Sequence, residues 1–171
     1  MNRQVLLTTR PTGIPQPQHF TVASVPVPEP GPGQVLVRNA YLSVEPAMRG
    51  WANDAPNYLP PVALGAVMRA FAVGRVAASN HPAYAPGDAV TGMFGWQEWA
   101  VVEASAIERR VDHGATAGLP LSTALGVLGL NGLTAYFGLL DVGRPRAGDT
   151  VVVSTAAGSV GSCVGDRKSV V

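Results

Sequence analysis

The sequence predicts a mainly β domain followed by the truncated start of an α/β unit. Three observations carry this expectation. Fifteen prolines and twenty glycines in 171 residues punctuate short apolar runs, as turns between strands do. Near Leu119 the composition shifts to Leu, Ala and Gly with apolar residues at helical spacing. Three consecutive valines, residues 151–153, then lead into a turn of small residues, the pattern of a buried parallel strand feeding a helix. The chain divides accordingly into a β domain over 1–120, connecting helices over 121–145, and a first strand with its glycine turn over 146–165.

Composition removes several function classes. Hydrophobic residues make up 47% and charged residues 13%, a globular balance and not a disordered one. A net charge of +1 gives no electrostatic footprint for nucleic acid or an anionic membrane, and neither is expected as a partner. The single cysteine, Cys163, excludes an internal disulfide framework. With His19, His81 and His113 scattered along the chain, a metal site is poorly supplied and no metal is expected. The N-terminus is too short in its apolar part for a signal peptide, and no apolar run reaches membrane-spanning length. A cytoplasmic protein is the resulting expectation.

Taken in order, residues 4–8 and 20–27 are short β-prone runs, and a Pro/Gly turn over 28–33 precedes a strand with polar–apolar alternation over 34–38. Further strands are expected over 70–76, over 89–94 after the Pro86-Gly87-Asp88 turn, and over 98–102. Many short strands at this spacing indicate a closed or sandwich-like β domain. Residues 121–140 place Leu125, Leu128, Leu133, Tyr136 and Leu140 at helical spacing, and Asn131-Gly132 is expected to break them into two short helices. A polar turn over 143–149 then leads to a strand over 150–154.

The segment after that strand carries chemistry. Ala156-Ala157-Gly158-Ser159-Val160-Gly161 has the spacing of a dinucleotide fingerprint, with alanine at the first glycine position. Gly158 would let the backbone approach a pyrophosphate, and Gly161 would let the helix lie close to the preceding strand. The amides of Ser159, Val160, Gly161 and Ser162 would point a helix N-terminus at the negative charge. A small-residue loop that merely closes a packed turn is the competing reading. The residue that separates NAD from NADP falls about twenty positions past such a motif, beyond these residues.

The sequence resembles the medium-chain dehydrogenase/reductase superfamily, in its zinc-independent branch of leukotriene B4 12-hydroxydehydrogenases, prostaglandin reductases and double-bond reductases. The matching segments are Tyr41-Leu-Ser-Val-Glu-Pro-Ala-Met-Arg-Gly50, Val73-Gly-Arg-Val76, His81-Pro82 and Gly87-Asp88. Gly95-Trp-Gln-Glu-Trp99, Leu125-Gly-Val-Leu-Gly129, Gly132-Leu-Thr-Ala-Tyr-Phe-Gly-Leu-Leu140 and Thr155-Ala-Ala-Gly-Ser-Val-Gly-Ser162 follow in family order. The resemblance implies a GroES-like β domain followed by the start of a Rossmann domain. It also implies NADPH as cofactor, an α,β-unsaturated ketone or aldehyde as substrate, hydride transfer to its β-carbon, and a homodimer. Carried over by position, Pro46 and Thr134 resemble nicotinamide contacts, and Gly158, Ser159, Val160, Gly161 and Ser162 resemble the pyrophosphate loop. The chain departs from the pattern at Ala47 (usually Tyr), at Asn131 (usually Pro), and at Ala66 and Ala70 (often Gly). Ala47 removes a ring expected near the substrate.

No catalytic residue is assigned. Tyr136 has the right chemistry to protonate an enolate, but its context reads as helix core, and the family's tyrosine lies farther downstream. Trp96 and Trp99 either line a cleft or belong to the core. His81 beside Pro82 reads as a surface turn, and Cys163 as a small buried hydrophobe at a helix start. Asp166-Arg-Lys-Ser-Val-Val171 replaces an apolar helix face with three successive charges and resembles a translated sequencing adapter. Family-like sequence is therefore expected to end near Gly165, leaving 166–171 as an artefactual tail. A stand-alone GroES-like binding module is the alternative function, although such a module has no need of the glycine motif.

Overall fold

The computed structural model describes residues 1–55, 57–111 and 118–168. Contacts divide the chain into two units, Met1–Ala117 and Gly118–Val171.

The first unit is built from seven strands: β1 (Asn2–Leu7), β2 (Phe20–Val25), β3 (Gln34–Leu42), β4 (Ala72–Ser79), β5 (Ala89–Gly92), β6 (Trp99–Glu103) and β7 (Ile107–Arg110). β1 and β2 pair antiparallel; the other five form a sheet in the order β6-β3-β4-β5-β7. Every pairing in that sheet is antiparallel. The strand expectations hold in place and shift by a few residues at their ends, where pairing partners and not propensity set the limit. β3 runs on to Leu42 because β4 accompanies it that far, with irregularities between Leu36 and Val37 and between Asn39 and Tyr41. β7 is not among the expected strands. Its Ile-Glu-Arg-Arg sequence buries only Ile107 and pairs with β5.

Two apolar clusters hold the unit. Val35, Val37, Ala72, Val76, Val90, Phe94, Ala100 and Ile107 fill one face of the larger sheet. Leu7, Met48, Trp51, Ala52, Val62, Met68 and Ala70 form the second, closed by helix α1 (Ala47–Trp51). Burying each Val, Leu or Met contributes about 1.5–3 kcal/mol relative to leaving it in water. β1 bonds to the segments that precede β4 and β6. The Val5 amide donates to the Trp96 carbonyl at 2.8 Å, and the Met68 amide to the Val5 carbonyl at 2.8 Å. The β surface curls into a half-barrel as a result.

The second unit holds a 3-10 turn (Leu121–Ala124), helix α2 (Leu130–Tyr136), a π-helical stretch (Phe137–Gly143) and helix α3 (Ser159–Lys168). Two expectations are corrected here. Asn131-Gly132 does not break the helix; the interruption falls earlier, at Leu125–Gly129, and α2 runs through Gly132. A Cβ on Gly132 would stand 1.8 Å from the Val127 carbonyl oxygen, so this glycine serves close backbone approach and not chain reversal. The strand expected over 150–154 does not form either. These residues join no ladder among those described, and Val152 is 90% exposed. A parallel strand needs neighbours to pair its backbone groups, and the described residues of this unit include none.

Candidate functional site

The turn at 155–158 follows directly on that unpaired segment. The Gly158 amide donates to the Thr155 carbonyl at 2.8 Å, and the Ser162 amide to the Gly158 carbonyl at 2.9 Å, which starts α3. The first amides of a helix have no intrahelical carbonyl to bond. In α3 these are the amides of Ser159, Val160 and Gly161, which present partial positive charge to an anion. Ser159 and Ser162 are exposed, while Gly158, Val160 and Gly161 are half-buried. The Ser162 hydroxyl donates to the Ser159 carbonyl at 3.1 Å.

Whether this cradle suits a pyrophosphate is tested by what a side chain would meet. A Cβ on Gly161 would lie 2.3 Å from the Thr155 carbonyl oxygen. Glycine is therefore required for the helix to start this close to the turn, which is the packing role of the last glycine in a dinucleotide motif. Thr155 adds an observation that sequence reading passed over. Its φ is +54°, left-handed backbone that a β-branched residue rarely adopts. Strain of this kind gathers at ligand-holding turns, and no sequence signal marks it, since threonine favours extended backbone. The residues present fit the group.

The remaining candidates are distributed as follows. Pro46 is exposed at the N-terminus of α1 in the first unit. Thr134 is exposed on α2 in the second, its hydroxyl donating to the Leu130 carbonyl at 2.7 Å. The structure thus brings Gly158, Ser159, Val160, Gly161 and Ser162 together, with α3 packed on α2, and leaves Thr134 hydrogen-bonded within its own helix. Tyr136 is a correction: it is 40% exposed, edge-on to Phe137 with ring centroids 5.3 Å apart, and not helix core. The buried side of α2 is Ala135, followed by Leu139 one turn on, and Tyr136 projects about 100° away from Ala135.

Trp96 is half-buried against Phe20 and lines a shallow cavity of about 300 Å³ with Val5, Val22, Asn39 and Leu42. Trp99 is half-buried beneath the Arg38 guanidinium, 5.4 Å from its ring centroid. His81 lies in a turn, its Nδ1 accepting from the Ala83 amide at 3.2 Å. Cys163 is half-buried on α3, and the α3 backbone continues through Asp166, Arg167 and Lys168 of the segment expected to be a tail. Among the described residues, no group of three or more His, Cys, Asp or Glu could hold a metal ion; His113 lies outside them. No helix among them is long and apolar enough to cross a membrane.

An antiparallel β unit is thus followed along the chain by a glycine turn at a helix N-terminus. Residues 3–109 match the family described as the N-terminal domain of oxidoreductase, and the chain belongs to that family, within the zinc-independent branch of the medium-chain dehydrogenases/reductases. It is 46% identical over 164 residues to the NADPH-dependent curcumin reductase of Escherichia coli K12, covering 96% of this chain and 46% of that enzyme. It is 36% identical over 169 residues to the 2-alkenal reductase (NADP(+)-dependent) of Nicotiana tabacum, covering 96% and 48%. The crystal structure of CurA in complex with NADPH from Vibrio vulnificus superposes with a TM-score of 0.85 at 40% identity, over 98% of this chain and 49% of that one. The chain spans about half the length of the curated relatives it matches.

Proposed function

We propose that this chain supplies the β domain and the pyrophosphate turn of an NADPH-dependent reductase acting on the carbon–carbon double bond of α,β-unsaturated ketones and aldehydes. The observation that most supports this is the geometry at 155–162: strained Thr155, the obligatory closeness of Gly161, and helix-start amides that precede the first intrahelical carbonyl. NADPH, when bound, supplies the hydride that adds to the β-carbon of the enone. Gly158, Ser159, Val160, Gly161 and Ser162 hold the pyrophosphate, and Pro46 and Thr134 flank the nicotinamide. The names of the relatives support the substrate class, since a 2-alkenal is an α,β-unsaturated aldehyde. The whole enzyme works without metal, as a homodimer in the cytoplasm, with a small molecule as its partner. By themselves the 171 residues bind NADPH negligibly and reduce no enone, because the residue that grips the adenosine ribose lies about twenty positions past the glycine turn.

A chimera tests this reading. Residues 1–165 are joined to the C-terminal half of the E. coli curcumin reductase, and NADPH consumption is followed with a simple enone, with and without a chelator. Turnover indifferent to the chelator is expected, and Gly158→Asp should raise the NADPH Kd at least about tenfold by setting a carboxylate against the pyrophosphate. The 171-residue chain alone, titrated in parallel, should show no saturable binding. No turnover across a panel of enones, or turnover abolished by the chelator, would refute the proposal.

A further inference from the structure

The first unit carries a cavity that none of the candidate cofactor residues lines. It measures about 300 Å³, and Val5, Val22, Leu42 and Trp96 form its apolar wall. That volume stands at the lower end of small-molecule sites. It is about twice that of an engineered apolar cavity that takes up benzene. The charged part of the lining is self-neutralising: the Arg3 guanidinium donates to the Glu98 carboxylate through Nε at 2.9 Å and Nη2 at 2.6 Å. A charged ligand would therefore shed its hydration here and meet no free counter-charge. Gln97 is engaged as well, its Oε1 accepting from Gln4 Nε2 at 2.7 Å and its Nε2 donating to the Phe94 carbonyl at 2.8 Å.

Two polar groups of the lining are not engaged. Among the described residues three buried side-chain polar atoms lack a hydrogen-bond partner, and two of them, Asn39 Oδ1 and Trp96 Nε1, belong to side chains that line this cavity. The orientation of the Asn39 carboxamide is fixed, because its Nδ2 donates to the Gln97 carbonyl at 2.8 Å and the Gly95 carbonyl at 3.4 Å. One acceptor and one donor are thus left over, each costing about 1–3 kcal/mol while unpaired. We infer that this cavity is a binding site for a neutral aromatic alcohol. A hydroxyl supplies both complements at once, since its O–H donates to Asn39 Oδ1 and its lone pairs accept from the Trp96 indole. The ring belongs among the apolar side chains, where Trp96 already sits tilted at 38° to Phe20 with centroids 6.0 Å apart.

The experiment titrates the 171-residue chain with 2-naphthol and follows the methyl resonances of Val5, Val22 and Leu42 and the indole N–H of Trp96 by NMR. Saturable shifts at all four are expected, with a Kd on the order of 0.1–1 mM for a ligand of this size. Naphthalene, which lacks the hydroxyl, and 1-octanol, which lacks the ring, should each bind at least about fivefold more weakly. The charged 2-naphthoate should not saturate. Trp96→Phe keeps a ring and removes the donor, so 2-naphthol should lose about fivefold and approach naphthalene. Val22→Trp fills the cavity from an exposed position and should abolish binding, while amide exchange in β3 and β4 stays unchanged and shows that the unit is folded. No saturable shift at these side chains, shifts confined to α2, equal affinity for 2-naphthol and naphthalene, or binding that survives Val22→Trp would overturn the inference. No NADPH enters the experiment, so its outcome is independent of the proposed function.

Discussion

Asn2 is fully buried at the first residue of β1, and its side-chain amide takes the place of a neighbouring strand. Its Nδ2 donates to the Trp99 carbonyl at 2.8 Å and its Oδ1 accepts from the Trp99 amide at 3.0 Å, so one side chain satisfies both backbone groups at the start of β6. Asn2→Ala strands both groups, and the cost should be about 1–3 kcal/mol in urea unfolding. Asn2→Asp should cost more, because a carboxylate oxygen would then face the Trp99 carbonyl. The adjacent pair predicts a pH effect. The Arg3 guanidinium donates to the Glu98 carboxylate through Nε at 2.9 Å and Nη2 at 2.6 Å. These side-chain hydrogen bonds, then one from the Arg3 amide, hold the Glu98 carboxyl below its ordinary range. A carboxyl lowered on folding contributes stability that is present above its unfolded value and lost as pH falls through its folded one. Thermal midpoints of wild type and Glu98→Gln should therefore differ slightly near neutrality and converge in acid. Both groups are exposed, so the difference should also vanish at high salt. Neither role of Asn2 or Glu98 is legible in sequence, since each depends on a partner more than ninety positions away.

At the scale of elements, Gly132 shows where the sequence could be read and where it could not. Replacing a mid-helix glycine with alanine ordinarily stabilises a helix by about 1 kcal/mol. Here a methyl group would be placed 1.8 Å from the Val127 carbonyl oxygen, so overpacking at about 1–3 kcal/mol decides the sign. Gly132→Ala should destabilise the second unit, seen as faster amide exchange across α2 with β3 unaffected. The Asn131-Gly132 pair looks like a breaker because a sequence shows a missing side chain without showing why it is missing. By contrast β3 was legible, since alternation and a Pro/Gly turn mark its start and Val35 and Val37 do enter the core. Helix α1 was not, because five residues after Pro46 are too short to show a period. The turn at 155–162 was legible as a motif through its glycine spacing, whereas the left-handed Thr155 was not. The valine run reads as a strand by composition, but no strand forms there, because pairing depends on neighbours that local sequence does not encode.

For the whole molecule, the distribution of the core sets the order of opening. Nearly all fully buried large side chains belong to the first unit, among them Trp51, Phe94, Leu7, Met68, Val35, Val37, Val73 and Val90. In the described part of the second unit the buried hydrophobic residues are Ala124, Ala135 and Leu139, none of them a large side chain buried that completely, and no strand is described there. Regions with few buried apolar contacts open at free energies well below that of global unfolding. Two classes of amide are therefore expected in native-state exchange. Those of β3, β4 and β5 should exchange only with global unfolding and follow the denaturant dependence of the whole first unit. Those of α2 and α3 should exchange by openings that depend weakly on denaturant, since little surface is exposed when they come apart. Limited proteolysis should give the same order, with the earliest cuts C-terminal to Gly118 and a resistant fragment retaining β1 to β7. Exchange of α2 and β3 at a common free energy, or early cleavage within β3 or β4, would show that the two units unfold as one cooperative body.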